Sequence, residues 1–165
     1  MATAFLSLGS NLEPERHLRA AAQALCERFG AVAFSPVYRS PAVGFRGPEF
    51  LNCAARIHTD LDPIALDAWL HALEDRHGRR RDVPRLSSRT LDVDLVLYGD
   101  RVLRGPGNLE LPRPELAEHA FVLAPMVDLA PQRVHPTLGV TLALLLQRLG
   151  PAGALHRTAI ELECN

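Results

Sequence analysis

At 165 residues and a formal net charge of −1, the chain has the length of one domain, long enough to bury about two-thirds of the surface its unfolded form exposes. That charge leaves no broad electrostatic footprint for nucleic acid or an anionic membrane. All 18 basic residues are arginine, so a P-loop and a kinase-type strand lysine are excluded, and any phosphate chemistry must use arginine, metal ions and backbone amides.

Residues 4–8, "AFLSL", read as a short strand stopped by Gly9-Ser10-Asn11, a turn and helix cap. A helix is predicted from Pro14 to Phe29, with Leu18, Ala22, Leu25 and Phe29 on one stripe. "AVAFSPVYRS" (31–40) and "PEFLNCAARIHT" (48–59) are strand-like, separated by the loop "PAVGFRG". Asp62-Pro63 supplies an N-cap and a first-turn proline for a second helix, which turns Leu66, Leu70 and Leu73 inward, runs to about His77 and stops at Gly78. An arginine-rich run over 79–89 leads into a strand that ends near Tyr98. The order βαββαβ is that of a ferredoxin-like α+β sandwich. Beyond it lie a turn or hairpin around "RGPGN", a proline-bounded stretch over 111–126, a last helix from Thr141 to Leu149, and a C-terminal segment that is either a strand or frayed. With no repeat or linker, residues 1–165 read as one domain.

Cys26, Cys53 and Cys164 are odd in number and lack a CxxC pair, which suggests neither a disulfide framework nor a zinc site and fits a reducing cytoplasm. The N-terminus has no basic region and too short an apolar run for a signal peptide, and no segment reaches the ~18 apolar residues of a membrane span. A soluble cytoplasmic protein is expected.

The strand "TLDVDLVLY" carries Asp92 and Asp94 on one side and Leu91, Val93 and Leu95 on the other. Two residues apart, the carboxylates lie about 6.5–7 Å from one another at the Cα atoms. They can hold a metal, and Mg²⁺ suits one or two carboxylates plus substrate phosphates; a solvated strand face is the alternative. Glu74 ends the second helix, and Arg79, Arg80, Arg81, Arg85 and Arg89 follow it. A basic run after a helix can simply complement its dipole, but guanidinium forks beside a carboxylate pair describe a polyphosphate site. Asn52, in an apolar strand, either reads a ligand edge or bonds neighbouring backbone. Phe50 and Phe121 either stack on a ring or pack the core.

Taken together, "LSLGSNL" (6–12), "VYRSPAVG" (37–44), "FLNCA" (50–54), "LEDRHGRRR" (73–81), "SRTLDVDLVLYG" (88–99) and "FVLAPMVDLAPQRVHP" (121–136) resemble the 6-hydroxymethyl-7,8-dihydropterin pyrophosphokinases of folate biosynthesis over nearly the whole chain. The resemblance implies diphosphate transfer from ATP to the pterin hydroxymethyl group, releasing AMP, on a ferredoxin-like core with two Mg²⁺. It implies Asp92 and Asp94 as metal ligands and Arg79, Arg81 and Arg89 as catalytic arginines. His71, Glu74, Arg81, Arg89, Leu95, Arg113 and His119 fall at ATP positions, and Ser40, Pro41, Val43, Phe50, Asn52 and Phe121 at pterin positions. ATP and the pterin are the partners implied, for a monomer that uses neither nucleic acid nor membrane.

Three places depart from the family pattern. Leu86-Ser87 stand for a usual Trp-Gly, Arg113 interrupts a usual Pro-His-Pro, and His119 replaces a common arginine. These changes leave as an alternative a divergent paralogue that binds pterin and nucleotide with weak or altered activity. An RNA-binding sheet is disfavoured, since no strand interleaves aromatic and basic residues. A metal-dependent hydrolase lacks an evident third ligand or base.

Overall fold

The longest strand pairing joins two apolar stretches. In the computed structural model, which describes residues 1–78, 82–84 and 87–165, β1 (Ala2–Ser10) lies antiparallel to β4 (Phe50–Thr59), from Ala2 opposite Thr59 to Ser10 opposite Leu51. The other edge of β1 takes β5 (Asp92–Tyr98), also antiparallel. The other edge of β4 takes β2 (Ala33–Phe34) and β3 (Tyr38–Ser40), and β3 is in turn flanked by β8 (His156–Arg157). The expected strand over 31–40 is therefore two short strands. Pro36 has no N–H for a ladder. Ser35 bridges the break instead, its N–H donating to Ala54 O (2.9 Å) and its Oγ accepting from Ala54 N (2.8 Å).

Two-residue alternation splits the sheet into two faces. Leu6, Leu8, Cys53, Ala55, Ile57, Val93 and Leu95 pack on α1 (Pro14–Phe29) through Leu18, Ala21 and Leu25, and on α2 (Pro63–Arg76) through Leu66, Leu70 and Leu73. The opposite face buries Phe5, Ala54, Val96 and Leu97 under Leu116 of α3 (Glu115–Glu118), Val122, Leu123 and Met126 of α4 (Ala120–Leu129), and Leu142 and Leu145 of α5 (Leu142–Leu149). A register shift sets Phe5 opposite Leu97 and Leu6 opposite Leu95. The bulged Val96 falls between them, and Val96 and Leu97 both join the second cluster. The expected hairpin is β6 (Leu103–Arg104) with β7 (Glu110–Leu111).

The expected cap at Asp62 holds, and Thr141 caps α5 in the same way. Asp62 Oδ1 accepts from Ala65 N, and Thr141 Oγ1 accepts from Leu144 N. The expected cap at Gly9-Ser10-Asn11 is not one. The residue before α1 is Glu13, at φ 47° and without a side-chain cap bond, while Gly9 and Ser10 finish β1.

The cysteine expectation is also corrected. Cys26 of α1 and Cys164 form a disulfide across a sequence separation of 138, and Cys53 is a free, buried thiol whose pKa burial pushes up to about 12. The tail is ordered. Arg157 donates to Asp128 and to the Tyr38 hydroxyl, Thr158 Oγ1 donates to Val37 O, and Leu162 is buried in the first core.

Candidate active site

Helices α3–α5 cover only the Phe5–Ala54 end of their sheet face, and the other end is the floor of a cavity of about 910 Å³. Four strands present alternate residues there: Asp92 and Asp94 from β5, Ser7 and Gly9 from β1, Phe50 and Asn52 from β4, and Ser40 from β3. α2 supplies Asp67, His71 and Glu74 as one wall; residues 104–110 of the hairpin and the stretch from Arg113 to Val122 supply the others.

One end of this cavity is acidic. Ligand atoms of Glu74, Asp92 and Asp94 all lie within 4.8 Å of one another. Glu74 is buried, and its Oε2 accepts from Val93 N at 2.8 Å, so the helix is fixed to the strand between the two aspartates. Burial first, and the neighbouring Asp92 next, push the Asp94 carboxyl well above its ordinary value; Glu74 and Glu115 add to this and Arg113 opposes it. The Arg113 Nη2 lies 3.4 Å from Asp94 Oδ1, and its Nε 3.3 Å from Glu115 Oε2. Crowded, partly buried like charges in an all-oxygen set are what a hard divalent cation relieves, so these residues fit Mg²⁺.

Arg89 is buried, lines the same cavity and is held through its backbone. Its N–H donates to Asn11 Oδ1 (2.7 Å), its carbonyl accepts from Asn11 N (3.0 Å), and its guanidinium donates to Ser87 Oγ and to the Ser88 and Pro84 carbonyls. Asn11 Nδ2 also donates to Pro48 O (3.0 Å) and Ser88 Oγ (3.1 Å). Gly9-Ser10-Asn11 thus joins the loop before β4 to the segment before β5.

The other end is aromatic and amide-lined. Asn52 Nδ2 donates to Ser40 Oγ at 2.7 Å, and a Cβ placed on Gly9 would lie 3.0 Å from Asn52 Oδ1. The Phe50 ring meets Phe45 edge-on, and the Phe121 ring stacks on His119 at 4.9 Å and 16°. Phe50 and Phe121 are half-buried and both line the cavity.

The family model for 7,8-dihydro-6-hydroxymethylpterin-pyrophosphokinase (HPPK) matches residues 5–131. The chain belongs to this family. It is 33% identical over 151 residues to the 2-amino-4-hydroxy-6-hydroxymethyldihydropteridine pyrophosphokinase of Haemophilus influenzae, covering 89% of this chain and 93% of that one. It is 42% identical over 132 residues to the enzyme of the same name from Pseudomonas aeruginosa, covering 77% and 80%. Among solved structures, wild-type HPPK-DHPS of Plasmodium falciparum with SDX-DHP superposes with a TM-score of 0.68 at 13% identity. The match covers 90% of this chain and 43% of that one, and at that identity it speaks for the fold alone.

Of the residues the HPPK resemblance singles out, the described ones line this single cavity with one exception. Leu95 is the exception: its side chain is buried in the α1–α2 core on the opposite sheet face, which leaves its backbone alone to meet a ligand. Arg79 and Arg81 lie outside the described residues, as does Leu86. His119, expected at the nucleotide, stacks on Phe121, which the resemblance assigns to the pterin. Sequence reading did not identify Gly9, Phe45, Asp67 or Glu115 as lining residues, nor Glu74 as a third carboxylate. Their placement depends on how separate elements register against each other, and no local spacing reports that.

Proposed function

We propose that this HPPK-family chain transfers the β,γ-diphosphate of ATP to the hydroxymethyl oxygen of 6-hydroxymethyl-7,8-dihydropterin, releasing AMP for folate biosynthesis. The supporting observation is a single cavity with a carboxylate trio at one end, Glu74 buried and Asp92 and Asp94 half-buried, and an amide flanked by aromatic rings at the other. That is the arrangement needed to bring a polyphosphate to a flat heterocycle. Phe50 and Phe121 clamp the ring, and Asn52, positioned by Ser40, reads its donor and acceptor edge. Pro41 and Val43 close the wall beside it. Asp92 and Asp94, with Glu74 behind them, hold Mg²⁺, two ions with ATP, whose charge neutralises the transferring diphosphate.

Arg89 and Arg113 take phosphate oxygens, and Arg79 and Arg81 join them from the segment after Gly78. His71 and His119 border the nucleotide. Transfer forms a bond from the hydroxymethyl oxygen to the β-phosphorus and breaks the bond from that phosphorus to the bridging oxygen, which leaves with AMP; the hydroxyl proton is released. The chain acts as one unit over residues 1–165 and as a monomer, and no helix among the described residues is long and apolar enough to cross a membrane. The ATP donor favours a cytoplasmic setting.

Purified protein should convert ATP to AMP, with no ADP, only when the pterin and Mg²⁺ are both present. AMP formation without pterin, or ADP as product, would refute the reading. Gly9→Ala places a methyl group 3.0 Å from Asn52 Oδ1 and should turn that amide. The expected loss in pterin affinity is about tenfold, the size of one displaced hydrogen-bonding group, with melting temperature little changed. Calorimetric titration with pterin checks this, and parental affinity would show that Asn52 does not read the ring.

A further inference from the structure

The guanidinium of Arg113 stands where a cation is needed, on an oxygen that a metal would also use. Its backbone is fixed, since Arg113 N donates to Val96 O at 3.0 Å. Its side chain is held loosely. The contacts to Asp94 Oδ1 and Glu115 Oε2, at 3.4 and 3.3 Å, exceed the about 2.7–2.9 Å of a charge-assisted hydrogen bond. Arg113 Nε is buried without a hydrogen-bond partner among the described residues. Charge keeps the group in place, and nothing in the bonding geometry commits it there.

We propose that Arg113 is a tethered cation that occupies Asp94 until metal and nucleotide arrive, then leaves Asp94 to the metal and turns to the ATP phosphates. This rests on the metal-site reading above. Without metal, four carboxylates act on Arg113: Asp94 and Glu115 at 3.4 and 3.3 Å, with Asp92 and Asp67 farther off. A divalent ion on Asp94 and the guanidinium 3.4 Å from its Oδ1 are both positive and draw on the charge of one carboxylate, so each weakens the other's hold. ATP resolves the competition by offering phosphate oxygens, which match the planar fork bidentately. Two consequences follow. Metal binds the nucleotide-free protein weakly because it must displace Arg113, and nucleotide and metal strengthen one another's binding by the same factor. A histidine at this position, as in the usual Pro-His-Pro, would not impose a permanent charge on Asp94.

The test is a Mn²⁺ titration of nucleotide-free protein, with free ion counted by its electron paramagnetic resonance signal. The parent is compared with R113M, which keeps the length and removes the charge, and with R113K, which keeps the charge. R113M should bind Mn²⁺ on the order of tenfold tighter than the parent, the scale of one partly exposed charge pair, and R113K should stay close to the parent. With Mn²⁺ saturating, R113M should bind a non-hydrolysable ATP analogue more weakly than the parent. Melting curves confirm folding, and R113Q replaces R113M if the latter does not fold. Equal Mn²⁺ affinities in parent and uncharged variant overturn the proposal alone. Absence of Mn²⁺ binding in every protein, with and without the analogue, overturns the metal site and the proposal together.

Discussion

Asp94→Asn is expected to leave a folded protein whose kcat is lower by about three orders of magnitude, the several kcal/mol that a metal-borne charge supplies to phosphoryl transfer. The same substitution should raise the melting temperature of the metal-free protein. Burial, then Asp92, lift the Asp94 carboxyl above the ordinary 3.8, so the folded chain binds that proton more tightly than the unfolded one. Stability then falls as pH rises from the ordinary value through the raised one, and above that the whole cost is present. Asparagine cannot ionise and does not incur it, while Arg113 keeps Glu115 as a partner. Melts of both proteins at pH 5 and pH 8 in chelator should show the advantage of the variant growing with pH, and saturating Mg²⁺ should narrow it. If the variant keeps most of the parental activity and melts like the parent at both pH values, Asp94 is a solvated strand residue.

The parts of this fold legible in the sequence are those whose signal is local. The stripe through Leu18, Ala22 and Leu25 and the Asp62-Pro63 start need only a few neighbouring residues, and α1 and α2 occur where these place them. The aspartate pair was legible because two-residue alternation alone puts Asp92 and Asp94 on one face. The long-range ties were not. Cysteine counting failed because Cys53 is withdrawn into the core, which leaves a pair whose meeting depends on the tail folding back across α1. The Gly9-Ser10-Asn11 segment resembled a cap because small polar residues suit caps and tight loop junctions equally. Here Asn11 uses its amide to hold Arg89 and Ser88, and a residue with positive φ starts the helix instead. Arg113 carried a family departure in the sequence, but its pairing with Asp94, 19 positions away, required β5 and the segment after β7 to lie side by side.

Glu74 separates architecture from chemistry, because its carboxylate serves both. One oxygen accepts from Val93 N, the amide between the two aspartates, and the group also completes the acidic trio. Glu74→Gln keeps an oxygen for Val93 and turns an NH₂ toward Asp92 and Asp94, so α2 should stay docked on β5 while one negative charge leaves the metal site. Mn²⁺ affinity and kcat are each expected to fall about 10- to 100-fold, as when a group supporting metal ligands is lost, and stability should be equal to the parent's or higher as like-charge repulsion is relieved. Glu74→Ala removes the acceptor as well. The buried Val93 N–H is then left without its partner, at a cost of about 1–3 kcal/mol, and the strand segment carrying both aspartates loses its tie to the helix. The alanine variant should therefore melt below the parent and be less active than the glutamine variant. Denaturant titrations and metal-dependent turnover on all three proteins decide the matter. Full activity in Glu74→Gln would make Glu74 a strut alone, and equal stability of Glu74→Ala and the parent would show that Val93 finds another acceptor and that the strut is dispensable.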